Sequence, residues 1–457
     1  MMKSPQGISD NLNPPSPPFA KGGKKIPPLK KGGMGGFDWK RGKGDSENGV
    51  GDRVKVIGLM SGTSADGVDA ALVEIVSEDE HPSMRLVAWG SLAYPPGLRE
   101  RILGVASGGS TEEVCHLNAY LGELFAEAAV QIARRAGVDL SDVDLIGSHG
   151  QTIHHLPVPK QEGTQAVRST LQIGEPAVIA ERTGITTIAD FRPRDLAAGG
   201  EGAPLTPIAH HALFACQDRG RVILNVGGIA NVTVLPPGAP ASAVTGFDTG
   251  PGNVLLDEFV RATGLSSRGY DEDGCLAATG QIRPDLLHDL LKHPFIRRAP
   301  PKSTGREAFG PAFVEEFRGS LQGMGVSDRD GLATLTAFTV GAVVQNLREF
   351  VFPRMAVHEV VVTGGGARNL FLMRRLADAL PECMVVTSDD IGFPGRPLEA
   401  VAFAWLAYLT ATGQSGNLPA VTGAAGPRVL GCIVPGKWYR GLHHPGTGNQ
   451  ATGRFGN

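Results

Sequence analysis

The sequence predicts an α/β protein of two related domains with a cleft between them, and three observations carry that prediction. At 457 residues the chain exceeds what one core fills, so two domains are expected. A strand, a glycine-rich polar turn and a returning strand open each half, at 54–75 and again at 221–235. Helical and strand-like segments then alternate behind both units.

Composition bounds the rest. Hydrophobic residues make up 41% and aromatic residues 6%, while 63 glycines and 33 prolines point to tight turns and unstructured sequence beside a globular body. Residues 1–50 hold nine Lys or Arg against four Asp or Glu, with ten Gly and seven Pro. Such a segment buries too little apolar surface to offset its ordering entropy, so 1–53 is expected to be a disordered, low-complexity leader. It carries +5 of a net −3, leaving the remainder mildly acidic and without the basic stripe a nucleic-acid surface needs. No apolar run reaches the roughly 18 to 20 residues of a membrane span, and the amino terminus has no apolar signal core. A cytosolic protein is expected. Cys115, Cys216, Cys275, Cys383 and Cys432 lie far apart without a C-x-x-C pair, which indicates neither a disulfide framework nor a zinc knuckle.

In chain order, 54–58 reads as a buried strand, 61–67 as its turn and 68–75 as the return strand. Helices follow at 98–106 and 111–136; in the second, Val114, Leu117, Leu121, Leu124, Phe125, Ala128 and Ile132 recur at helical spacing and Gly137 ends it. A strand at 144–148 runs into His149-Gly-Gln-Thr152, and a Pro-rich loop is expected over 156–163. A helix at 176–182 and a strand at 186–189 close the first half. In the second, 221–226 and 232–235 are strands about a turn at 227–231. Helices at 253–263, 332–351 and 369–380, a strand at 359–363 and an apolar helix at 399–411 complete the order.

Several motifs carry chemistry. Met60-Ser-Gly-Thr-Ser-Ala-Asp-Gly-Val-Asp69 combines glycines for close backbone approach, hydroxyls, and two carboxylates able to hold waters of a hard cation. Successive amides in such a loop make an anion nest whose natural guest is phosphate; a polar turn capped by its own hydroxyls is the alternative. Asn225-Val-Gly-Gly-Ile-Ala-Asn231 repeats the idea in the other half, although glycine pairs also mark bulges. Gly246-Phe-Asp-Thr-Gly-Pro-Gly-Asn253 sets Asp248 in a rigid turn before a helix, either as a general base giving roughly 10²- to 10⁴-fold or as a plain helix cap. Val360-Val-Val-Thr-Gly-Gly-Gly-Ala-Arg-Asn369 feeds three glycines toward a helix start, suiting a nucleotide without matching a dinucleotide fingerprint; a P-loop is absent. His149, His154 and His155 raise a metal reading that lacks close acidic ligands. Asp190, Arg192, Arg194 and Asp195 form either buried ion pairs or a fork for a carboxylate. Glu399 opens an apolar helix, where burial without a task is costly.

As a set, and in order, these blocks resemble the 1,6-anhydro-N-acetylmuramic acid kinases. The likeness spans about residues 54–435 and adds Gly202-Ala-Pro-Leu205 and Lys302-Ser-Thr-Gly-Arg-Glu307 to the motifs above, with Ala65 and Pro193 as small departures. It implies two RNase H-like domains of the actin / Hsp70 / sugar kinase (ASKHA) fold with an interdomain cleft. The domains would be 54–195 plus about 396–435, and 196–395, with a flexible tail at 436–457. It implies transfer of the ATP γ-phosphoryl group to O6 of the sugar while water opens the 1,6-anhydro bridge at C1, a step of cell-wall recycling. Asp248 would be the base and Glu399 would orient the water. ATP would lie against Gly62, Thr63, Ser64, Ala65, Asp66, Gly67, Val68 and Asp69, with Gly227, Gly228, Gly364, Gly365 and Gly366 from the other half. Mg2+ would come with ATP, reached by Asp66 and Asp69 through water, with no direct protein ligand. His149, Gln151, Asp190 and Arg192 would meet the sugar, Arg192 taking its lactyl carboxylate. The small sugar is the implied partner, with no nucleic acid or membrane, and a homodimer is left open. A plain kinase for another amino sugar is the nearest rival. A nucleotide-gated chaperone or filament protein is the rival from another class; such proteins append a peptide-binding domain or polymerise through surface insertions, whereas only a short Gly/His-rich stretch follows Pro435.

Overall fold

The computed structural model describes residues 52–62, 64–77, 82–306 and 308–437; the expected leader, Thr63, Glu307 and most of the expected tail lie outside them. The first half begins with three antiparallel strands, β1 (Asp52–Ser61), β2 (Gly67–Ser77) and β3 (Ser83–Ala93). Helices α1 (Leu98–Ala106) and α2 (Thr111–Arg135) lead to β4 (Leu145–Glu162) and β5 (Gln165–Ile173), then to α3 (Pro176–Thr183), β6 (Thr186–Ala189) and the short α4 (Pro193–Ala197). In α2 the Ser110 hydroxyl caps the amide of Glu113 and the buried stripe includes Leu117, Leu121, Phe125 and Ile132, so sequence and structure agree on why this helix forms.

Helix α5 (Pro207–Phe214) connects to the second half, whose strands are β7 (Arg221–Val226), β8 (Ile229–Leu235) and β9 (Thr245–Pro251). Behind them come α6 (Asn253–Thr263), α7 (Pro284–Leu290), α8 (Pro294–Arg297), α9 (Pro311–Met324) and α10 (Asp328–Asn346), which ends in a π turn over Leu347–Val351. Strand β10 (Glu359–Thr363), α11 (Leu370–Ala379), β11 (Met384–Thr387), α12 (Leu398–Ala411), α13 (Pro419–Thr422) and β12 (Cys432–Val434) finish the described chain.

The two sheets have one topology. The first runs β12-β6-β4-β1-β2-β3 and the second β11-β10-β7-β8-β9. In each, three antiparallel strands are followed by strands parallel to the first, the order of an RNase H-like unit used twice. Late elements return to the early sheet: β12 pairs with β6, and α12 lies on β1 and β4. Glycines make that contact possible. A Cβ on Gly58 would stand 1.8 Å from the Ala400 carbonyl oxygen, and one on Gly147 would stand 2.1 Å from that of Phe403. One core cluster joins Val56, Val73 and Ile188 of the first sheet to Ile223, Leu235 and Val361 of the second through α5 and α12. The halves therefore share an interior.

Several expectations differ from what is seen. The Pro-rich stretch 156–163 is mostly strand, the exposed arm of the β4–β5 hairpin; its prolines fall where the pairing register shifts between Leu156 and Lys160, the irregular edge position that tolerates a missing N–H. The expected rigid turn after Phe247 is the end of β9. The long helix starts earlier than residue 332, because Ser327 caps it, and its last turn widens to π at Leu347. Strand β3 and helices α5 and α9 were not anticipated, and β3 is mostly half-buried, which blurs its alternation.

Candidate active site

The loop after β1 is tied by side chains. Gln151 on β4 is buried, its amide nitrogen donating to the Gly62 carbonyl (3.2 Å) while its oxygen lies 2.7 Å from the Ser61 hydroxyl. That hydroxyl also lies 2.8 Å from the Gly67 carbonyl and accepts from Tyr94 (2.9 Å), whose phenol burial keeps neutral. Ala65 closes a turn onto the Gly62 carbonyl at φ 50, fully buried, where a small side chain is the least strained choice. Ser64 donates to Asp66 (2.9 Å) and Ser91 donates to Asp69. Burial raises the pKa of Asp69, with Ser91 and Arg396 opposing and Asp66 reinforcing the rise.

In the second half the turns are tied by backbone. The amides of Gly252 and Asn253 donate to the carbonyls of Gly228 (2.9 Å) and Gly227 (2.8 Å), and the Asn253 side chain donates to Val226 (3.0 Å). Gly364 sits at φ 77, ψ −176, a region open essentially to glycine alone, and a Cβ there would stand 2.4 Å from the Asn225 side-chain oxygen. The glycine turns after β7, β9 and β10 thus form one cluster at the carboxyl ends of parallel strands, where ligands of such sheets bind.

Asp248 does not cap α6, whose cap position is Gly252. Its Oδ2 accepts from the Ser303 hydroxyl (2.9 Å) and the Thr304 amide (2.9 Å), and its own amide donates to the Lys302 carbonyl (3.2 Å). Burial pushes its pKa up; the bonds from Thr304 and Ser303 pull it back, and Glu201 adds to the rise. Glu399 stands in the first turn of α12 with its carboxyl open to solvent, yet the surrounding protein raises its pKa, against the pull of Arg192 and with the push of Asp69. Solvent contact with protein on every side is the setting of a cleft floor.

Arg192 donates to His149 Nε2 (2.9 Å) and to the Gly202 carbonyl (2.7 Å). His149 Nδ1 therefore carries the ring proton toward the Gly150 carbonyl (2.9 Å), and burial beside Arg192 holds the imidazole neutral, well below its usual pKa. Asp195 is buried on neutral donors, Asn417 (2.7 Å), Thr422 (2.8 Å) and the Gly202 amide (2.8 Å), so the charges of this block do not simply pair with one another. Glu201 adds negative charge near Asp248, and Arg192 adds positive charge near Glu399.

A cavity of about 360 Å³ opens beside this network, lined by Ser148, His149, Asn118, Gln172, Glu175 and Asp190 among others. Asp190 is exposed at φ 54, and burial of its surroundings and Glu175 raise its pKa. The Ser148 hydroxyl is buried with no partner. Both polar ends of Gln151, both nitrogens of His149 and two guanidinium nitrogens of the half-buried Arg192 are occupied within the protein, so of the four expected sugar contacts Asp190 is the exposed one. Sequence reasoning missed Ser148, Glu175 and Asn118 as cavity lining. Asn118 was visible as a polar residue one step from Leu117 on the buried stripe of α2. Among the described residues no three His, Cys, Asp or Glu side chains converge to hold a metal ion directly.

Two sheets of one RNase H-like order, with glycine turns at their carboxyl ends and carboxylates of raised pKa beside them, define a protein of the ASKHA class. Solved structures resemble it loosely, among them the (R)-2-hydroxyglutaryl-CoA dehydratase component A of Acidaminococcus fermentans, at 14% identity and a TM-score of 0.41, covering 78% of this chain and 99% of that one. The sequence relatives are much nearer. Proteins named anhydro-N-acetylmuramic acid kinase from Caldanaerobacter subterraneus (45% identical, 83% of this chain and 96% of that one) and Ralstonia nicotianae (46%, 83% and 97%) align along nearly their whole length. The profile of the anhydro-N-acetylmuramic acid kinase family matches residues 54–436. The chain belongs to that family and is a kinase.

Proposed function

We propose that the protein phosphorylates 1,6-anhydro-N-acetylmuramic acid at O6 with ATP while water opens the anhydro bridge, giving N-acetylmuramic acid 6-phosphate and ADP for cell-wall recycling. The observation that carries the reading is the state of Asp248: one oxygen held by Ser303 and Thr304, and a carboxyl whose proton affinity is raised. Its second oxygen takes a proton from water as that water bonds to C1. The C1–O6 bond breaks, O6 receives the γ-phosphoryl group, and ADP leaves. Glu399, solvent-exposed at the head of an apolar helix and raised in pKa by the surrounding protein, orients the water.

ATP lies against residues 62–69 and the glycine cluster of 227–228 and 364–366, whose amides face developing phosphate charge. The mutual repulsion of Asp66 and Asp69 suits the water shell of Mg2+, and the ion would supply neutralising charge on the phosphates. The cavity beside Asp190 takes the sugar, with His149 in its wall, Arg192 holding that imidazole from behind and Gln151 holding the neighbouring loop. We place the domain division at 54–195 with 396–435 against 196–395, on the ground that α12 and β12 complete the first sheet. We infer a cytoplasmic enzyme; among the described residues no helix is long and apolar enough to cross a membrane.

The test is turnover in 18O-labelled water with ATP and the anhydro sugar. One labelled oxygen is expected at C1 of the product. Phosphorylated product without label at C1 would overturn the mechanism.

A further inference from the structure

Resting on the assignment of Asp248 as base, we propose that Lys302 is a positioning residue, a buried cation that with Asn346 fixes the backbone on both sides of Asp248 and the strap that holds its carboxylate.

The side chain of Lys302 is 5% exposed. Its ammonium donates to the carbonyls of Phe295 (3.0 Å) and Ile296 (3.0 Å) at α8 and lies over three rings, Phe295 at 4.8 Å, Phe350 at 5.4 Å and Phe247 at 6.0 Å. Phe247 precedes Asp248 on β9, and Phe350 belongs to the π turn. Asn346, buried just before that turn, gives one N–H to the Ala342 carbonyl of its own helix (2.8 Å) and shares its remaining donor capacity between the same Ile296 carbonyl (3.3 Å) and the carbonyl of Thr249 (3.2 Å), which follows Asp248. The strap itself begins at Lys302, whose carbonyl receives the Asp248 amide and whose next two residues supply both donors to Oδ2. The β8–β9 ladder pairs Asp248 with Asn231; beyond that ladder, the strap that holds its carboxylate starts at the residue anchored by this ammonium, and the carbonyl that follows Asp248 is held by the Asn346 amide.

The charge is an expensive way to brace a loop. Burial lowers the Lys302 pKa to about 8, so folding works against the charged form, and an apolar side chain would hold the aromatic cage without that cost. What an apolar chain lacks is the two carbonyl bonds and the positive field on Asp248. The charged groups around the ammonium are Asp248 on β9, Glu349 on the π turn and Arg298 after α8.

The test compares Lys302→Met, Phe350→Leu and Asp248→Asn with the wild type in kcat, KM for ATP, pH profile and melting temperature. Lys302→Met is expected to lose about tenfold or more in kcat with KM for ATP within about twofold, since aim and not nucleotide contact is disturbed. Its acid limb should move to higher pH, because removing the cation raises the Asp248 pKa. A wild-type decline above about pH 8, where Lys302 discharges, should be absent from the variant. Phe350→Leu, which opens the cage and keeps the charge, should lose kcat by a smaller factor and leave the acid limb in place; it decides the matter if Lys302→Met does not fold. Wild-type kcat and acid limb in Lys302→Met, or kcat and ATP affinity falling together with melting temperature, would overturn the proposal. Asp248→Asn separates the two ideas: full activity there removes the base assignment, whereas its loss beside a normal Lys302→Met removes only the clamp.

Discussion

The two halves share a strand order and differ in how they close the turns at the ends of those strands. In the first half side chains do it around 62–69: Ser61 bonds Gln151 and Tyr94, Ser64 bonds Asp66, and Ser91 bonds Asp69. In the second half the main chain does it, with Gly252 packed on the carbonyls of Gly227 and Gly228, and Gly364 packed on Asn225 and Val226. The difference teaches that a repeated topology need not repeat its chemistry. One half offers exchangeable hydroxyls and carboxylates that tune charge, and the other a fixed surface of amides. Asp248 belongs to the second half by sequence and to the first style by behaviour, since its carboxylate is tuned by Ser303 and the Thr304 amide.

The largest way to break the comparison is Asp248→Asn, which keeps the shape and removes the carboxylate proposed as base. We expect kcat to fall by roughly 10²- to 10⁴-fold while nucleotide binding, measured by calorimetry, persists. Next is acid stability, which asks whether both halves bury neutral imidazoles in the same way. His210 on α5 bonds the Thr233 hydroxyl (2.9 Å) and has its pKa lowered by burial to about 4, while His149 is also lowered. A base whose folded pKa is depressed supports folding above its ordinary value of 6.5 and withdraws that support as pH falls toward 4. For His210 this amounts to up to about 3 kcal/mol. Melting temperature should fall over that window, less steeply in His210→Asn. The smallest effect is expected from Gly364→Ala against Ser61→Ala. The first forces a Cβ against Asn225 at a backbone angle reserved for glycine and should weaken ATP binding about tenfold or more. The second removes one adjustable hydroxyl and should weaken it only a fewfold. Equal effects would erase the contrast.

Much of this was legible in the sequence. The hairpins of both halves, the helical stripe of α2 and the glycine turns follow from periodicity and local chemistry, which act over a few residues. Glu399 was also legible, as a charge at the head of an apolar helix. What was not legible depends on partners distant in sequence. Nothing near Gln151 announces that its amide would be spent on Gly62, 89 residues away, nor near Asp195 that Asn417 and Thr422 would satisfy it. Lys302 stood in a quoted block, but its ring cage is gathered from β9, α8 and the π turn. The exposed β4–β5 arm was misread because its prolines signal loop to any local rule, while its pairing is supplied by the opposite strand.

The seating of α12 on Gly58 and Gly147 has a consequence for synthesis. As the chain leaves the ribosome from its amino terminus, the face of the first sheet carrying Val56 and Val73 must wait for residues 398–411 to cover it, and β6 must wait for 432–434 to cover its edge. Until then nascent chains present apolar surface, and a message cut short before Leu398 yields a product lacking both that cover and Glu399. Covering of the first sheet and arrival of the carboxylate proposed to orient the water thus fall together, late in translation.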